Sequence, residues 1–145
     1  MKATIATVLC FIWGCLLLYA GEPGNDLEKF QGKWVVVTLT EQGKAIPAAE
    51  TNLLEFTINK DVFTVTEKGQ TVVQYKIVLD PSKKPKEINY THLIGENKGN
   101  TELGIYQFEK DQIKLCLDET RKGRPTVFEG KETEQYSVIL LKKKT

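Results

Sequence analysis

The chain has 145 residues, 20 of them basic and 19 acidic, for a formal net charge of +1. That length holds one domain, and a near-neutral surface excludes general electrostatic capture of nucleic acid, which needs a basic face. With 3 cysteines and 1 histidine, no Cys/His spacing supplies the ligand set of a metal site.

Met1-Lys2 is followed by the apolar run Ala3–Ala20, after which the composition switches to Gly21-Glu22-Pro23-Gly24-Asn25-Asp26. A charged start, an apolar centre and a small residue before a polar break predict a secretory signal peptide cleaved after Ala20, although Leu18 at −3 is larger than the usual pattern prefers. Two rival readings use the same segment. An uncleaved anchor is one, because the run reaches the lower edge of a membrane span. Lipid attachment at Cys15 is the other, opposed by Leu16-Leu17-Leu18, which carries the apolar core past the cysteine. The chain thus divides into a signal peptide over 1–20, a flexible tether over 21–26 and a β domain over 27–145. Export to the periplasm, the cell envelope or the medium is expected, with display at the membrane if the segment stays attached. Cleavage removes Lys2 alone among the charges, leaving a formal net charge of zero. It also removes Cys10 and Cys15. Cys116 then has no partner for an intramolecular disulfide, and the core must hold the fold unaided.

Asn25 or Asp26 is placed to cap a short helical turn, Leu27–Phe30. Trp34–Thr40 follows as a strand rich in β-branched residues. Gly43, Lys44 and Pro47 break it, and Ala48–Asn52 fits one helical turn. Leu54, Phe56 and Ile58 alternate with polar residues, and Val62–Thr66 returns after the turn Asn59-Lys60-Asp61. Thr71–Leu79 comes next, with Val73, Tyr75, Ile77 and Leu79 on one face. The Pro- and Lys-rich connection 80–86 leads into a short strand, Glu87–Thr91, and Gly95–Asn100 is a loop. Ile105–Phe108 and Ile113–Leu117 then flank Glu109-Lys110-Asp111-Gln112, the signature of a hairpin with a four-residue loop. Asp118–Arg124 reads as a charged loop, Arg124–Phe128 as a short strand and Tyr136–Lys143 as the last strand. Eight or nine antiparallel strands at such intervals give a sandwich or a closed up-and-down barrel. A single all-β barrel of about eight strands is the better expectation, because closure removes exposed edges.

Chemistry-bearing residues are few. His92 reads as an ordinary surface residue rather than a base or ligand. Cys116, inside a β run, reads as a packed thiol rather than a nucleophile. Asp118, Glu119 and the other acids are scattered across turns, and no nucleophile elbow, phosphate loop or dinucleotide fingerprint occurs. No catalytic residue, metal ligand or cofactor is therefore assigned, and an enzyme is the least favoured class. Lys83, Lys84 and Lys86 form a basic loop and Arg121, Lys122 and Arg124 a second. Both read as solvated connections, with an anion or acidic-partner contact as the alternative. Lys142-Lys143-Lys144 ends the last strand in solvent. Tyr75, Tyr90, Tyr106 and Phe108 are expected to line the interior, whose bulky inner faces favour filling by side chains over a hollow.

Leu27–Trp34 (L-E-K-F-Q-G-K-W), Leu79–Ile88 (L-D-P-S-K-K-P-K-E-I), Leu103–Leu117 around G-I-Y and K-L-C-L, and Arg124-Pro125-Thr126 with Phe128 resemble a family of small, uncharacterised domains abundant in planctomycete bacteria. These segments span nearly all of the chain after residue 20. The resemblance implies a lipocalin-like (calycin) β-barrel, often exported. Gly32-x-Trp34 is similar to the first lipocalin motif, in which the tryptophan closes one barrel end beneath a basic residue of the last strand. Lys142 or Lys143 fits that place, whereas the lipocalin Thr-Asp-Tyr turn is missing. Two functions stay open: a binding module holding a small apolar molecule or an envelope protein at the barrel mouth, and a filled-core interaction domain. Ligand-binding residues remain unassigned.

Overall fold

The computed structural model describes residues 25–130 and 135–145; the expected signal peptide and residues 21–24 of the expected tether lie outside the described residues. Two short helices, α1 (Asp26–Phe30) and α2 (Ala48–Thr51), accompany nine strands: β1 (Gly32–Glu41), β2 (Lys44–Ala45), β3 (Leu54–Asn59), β4 (Val62–Glu67), β5 (Gln70–Asp80), β6 (Lys86–His92), β7 (Thr101–Glu109), β8 (Gln112–Asp118) and β9 (Tyr136–Lys143). From β3 to β9 each strand pairs antiparallel with the next, β1 pairs with β3, and β9 returns to pair with β1. This is a closed, antiparallel, eight-stranded up-and-down barrel with β2 added beside β1. Closure leaves no long edge for other chains to join.

Period-two alternation holds along most strands, because neighbouring residues point to opposite faces of the wall. Phe56 and Ile58 of β3, Phe63 and Val65 of β4, Ile88 and Tyr90 of β6, and Leu115 of β8 join one core cluster. At one end that core is sealed by α1. Phe30 is fully buried and meets Tyr106 and Phe108 edge-to-face, with ring centres 5.2 and 5.3 Å apart. Trp34 lies beside it, and its indole Nε1–H donates to the Phe30 carbonyl at 2.8 Å. Lys143, not Lys142, puts its ammonium 5.6 Å from the Trp34 ring centre. Gln31 ties the helix to the β3–β4 turn: its Nε2 donates to the Leu27 and Lys60 carbonyls, and its Oε1 accepts from the Lys60 amide.

Several expectations are corrected. Asp26, expected at the end of a flexible tether or as a cap, is buried in α1, where its carboxylate receives Lys86 at 2.6 Å, the Tyr106 hydroxyl at 2.8 Å and Lys29 at 3.1 Å. Burial pushes that carboxyl up, but the Lys86, Tyr106 and Lys29 hydrogen bonds outweigh it and hold the group below the usual carboxylate range. Lys86 therefore belongs to the fold rather than to a solvated loop. The central hairpin closes through two residues, Lys110-Asp111, because Glu109 and Gln112 still pair across the strands; Lys110 takes a left-handed backbone.

The expected strand over Arg124–Phe128 does not form. The barrel already closes through β8 and β9, so no edge is open to it. Instead Arg124 reaches across the outside of β6 and β7, donating to the Ile88 and Gly104 carbonyls and to Asn89, with Glu87 at 3.3 Å. Pro125 is buried beside it, and Ile105 and Cys116, which pair across β7 and β8, are fully buried on that outer side. Cys116 is thus a packed thiol. Asp118, at the end of β8, is buried rather than lost in a charged loop. It accepts from the Thr120 amide and hydroxyl and from the Gly123 amide.

Candidate functional site

The strand directions put the ends of β1, β4, β6 and β8 and the starts of β3, β5, β7 and β9 at the barrel end opposite α1. Here the interior is not filled. A cavity of about 390 Å³ opens at this mouth, so the expectation of a side-chain-filled interior holds for the α1 half alone. The physical reason is side-chain size and direction. Toward α1 the section is occupied by Trp34, Phe30, Tyr106 and Phe108, whereas toward the mouth the wall carries Val65, Val73 and Ile139 and none of the described residues plugs the centre.

The cavity floor is apolar and aromatic: Phe56, Phe63, Tyr75, Tyr90, Leu115 and Leu117 contribute to it. Tyr90 packs edge-to-face on Phe63 and Tyr75, with ring centres 5.6 and 5.3 Å away. Its side chain is 1 % exposed, yet its hydroxyl finds no hydrogen-bond partner among the described residues. Burial pushes the Tyr90 hydroxyl well above the usual phenol range, and Tyr75 and Glu102 add to the shift. Tyr75 moves the same way through burial, with Glu102 and Glu119 adding to it.

Around this floor stand the carboxylates Glu41, Glu102 and Glu119. Glu102 sits on β7 in the same phase as Gly104, Tyr106 and Phe108, hence on the inner face, and bonds His92 Nε2 at 2.7 Å. His92 is therefore not a surface residue. It is 8 % exposed, buried between Glu102 and the Tyr75 ring, whose centre lies 4.6 Å from its own. Glu119 accepts a hydrogen bond from the Ser137 hydroxyl. Glu41 reaches the mouth through a β-bulge in β1, where the pairing with β9 slips between Val36 and Thr38. Such a bulge reverses the facing of every later residue. Leu39 and Glu41, which strict alternation from Trp34 would put outside, thus turn in. Burial pushes the Glu41 carboxyl up, and the charges of Glu119 and Glu50 push it further.

Of the residues singled out in the sequence, Tyr75 and Tyr90 line the cavity, while Tyr106 and Phe108 belong to the sealed end. Glu119 lines the mouth, whereas Asp118 and Arg124 brace the barrel from outside. Glu41 and Glu102 were not singled out. Glu102 is legible by extending the inner face of β7 back two residues, but Glu41 is hidden by the bulge. Lys83 and Lys84 remain exposed near Phe108 and Phe128 at the sealed end, away from the mouth. Lys142 and Lys144 are exposed and pair with Asp111 and Glu55. Among the described residues no group of three or more His, Cys, Asp and Glu side chains is arranged to hold a metal ion, and no helix is long and apolar enough to cross a membrane. No protein-family model, curated protein or solved structure matches this chain.

Proposed function

We propose that this protein is an exported, lipocalin-like barrel of the small planctomycete-type family that binds a small, largely apolar molecule at its mouth without transforming it. The mouth cavity carries this reading. Its volume, about 390 Å³, falls in the range of small-molecule sites, which are concave and mostly apolar with a few placed polar groups. The floor of aromatic and aliphatic side chains gives area for burial, and the sealed opposite end keeps the wall rigid.

Native mass spectrometry of the protein purified from its own compartment tests this. A non-covalent adduct of a few hundred daltons is expected, and Val73→Trp, which places an indole in the cavity, should lose it while remaining folded. An adduct-free wild type whose melting temperature no small apolar compound raises would overturn the reading. A second reading, an interaction domain of the cell envelope, is favoured by the exposed apolar side chains Val35, Val37, Val72 and Val78 on the outer wall. Such a domain would retain a protein partner and show no dependence on the cavity.

A further inference from the structure

The mouth cavity pairs an apolar floor with charge of one sign. Glu41, Glu102 and Glu119 line it, and among the described lining residues there is no lysine or arginine. His92 neutralises part of the charge on Glu102 when protonated. Among the described residues no basic side chain forms an ion pair with Glu41 or Glu119. Like charges gathered at a partly desolvated rim repel one another, so a cation entering there gains from all of them. An anion meets the same field with the opposite sign.

Tyr90 supplies a separate observation. Its hydroxyl is buried in the cavity wall without a partner among the described residues, and an unmet polar group of this kind is costly unless a water or a ligand completes it. It can accept an N–H or donate an O–H. A metal ion does not fit the arrangement, because the carboxylates do not converge at ligating distances. An organic cation, with its charge on nitrogen and its bulk in hydrocarbon, matches both the rim and the floor.

We infer that the ligand of the mouth cavity is an amphipathic amine: a protonated nitrogen held among Glu41, Glu102, Glu119 and the Tyr90 hydroxyl, with an apolar or aromatic body on the Phe56–Phe63–Leu115 floor. The inference rests on the reading of the cavity as a small-molecule site and specifies its chemistry. Specificity comes from the rim. Burial of the body drives association, while the carboxylates favour the cation and repel an acid of the same shape.

Three probes that share one skeleton test it by calorimetry at neutral pH and low salt: 4-phenylbutylamine, 4-phenylbutanol and 4-phenylbutyrate. The amine should bind about tenfold tighter than the alcohol, and the acid more weakly than either. Added salt should weaken the amine selectively. Glu119→Gln and Glu41→Gln, both on the exposed rim, should each narrow the amine-to-alcohol ratio, with melting curves confirming the fold. Equal binding of amine and alcohol, or tightest binding of the acid, would overturn the amine inference while leaving the small-molecule reading intact. Failure of all three probes, together with an adduct-free native mass spectrum, would overturn the cavity reading and the inference with it.

Discussion

Replacing Trp34 with alanine removes a buried indole, its hydrogen bond to the Phe30 carbonyl and the ring beneath Lys143 at one stroke. The expected loss is about 3–5 kcal/mol in unfolding free energy, the range for truncating a large buried aromatic. Trp34→Phe keeps most of the area and should lose far less, so denaturant melts of the two variants separate packing from the single hydrogen bond. Asp26 makes a different kind of contribution. Its side chain is 3 % exposed and held by Lys86, Lys29 and Tyr106, so Asp26→Asn should cost about 1–3 kcal/mol. Because its folded pKa lies below the unfolded value, the stabilisation is present above about pH 4 and is lost as pH falls through the folded value. Asp118 has the same sign: burial raises it, and hydrogen bonds led by Thr120 outweigh the rise. Unfolding measured from pH 2 to 6 should therefore show stability climbing with pH, with a shallower climb in Asp26→Asn. An unchanged slope would mean that folding leaves the Asp26 carboxyl at its unfolded value, and a steeper one that it is protonated in the folded barrel.

At the scale of the element, β1 joins fold to site. Its N-terminal part seals one end through Trp34, and its C-terminal part delivers Leu39 and Glu41 to the mouth, the two halves being out of phase across the bulge at Val37. Deleting Val37, the extra residue, should let the β1–β9 ladder run unbroken with Leu39 and Glu41 still turned inward. We expect that variant to keep cooperative melting, and Val37→Ala, at a side chain 45 % exposed, to stay within about 0.5 kcal/mol of the parent. A deletion variant that loses cooperative melting would show that the bulge itself, and not the facing on either side of it, is what β1 needs. The same element marks what was legible in the sequence. Strand existence, turn positions and inner faces follow from alternation, as in Phe56/Ile58 and Tyr75/Ile77. A bulge adds one residue without a composition signal, so Val35-Val36-Val37 gives no sign of where the phase breaks. Arg124 escaped for a related reason. Its charge reads as solvated until the barrel brings the Ile88 and Gly104 carbonyls to it, and such long-range pairing has no local mark.

For the whole molecule, closure was the part least accessible to alternation, since a sandwich and a barrel share the same period. The hollow mouth depends in turn on closure, because strand number and tilt set the interior width. A closed wall without an open edge should unfold as one unit, and Cys116 reports on that directly. It is fully buried on the outer side of β8, on the opposite face from the cavity-lining Leu115 and Leu117. If residues 1–20 are removed on export, as proposed, Cys116 is the sole thiol among the 3 cysteines of the chain. Ellman's reagent should then titrate no thiol in the native protein and a single thiol after denaturation. Reductant should leave the melting temperature unchanged. The rate of native-state labelling should track the population of the open barrel, and a ligand that raises the melting temperature should slow labelling by mass action. Three thiols after denaturation would mean that the apolar N-terminal segment is retained. Fast labelling unaffected by stabilising ligand would mean that the Arg124–Phe128 segment lifts away from β8 while the barrel stays closed.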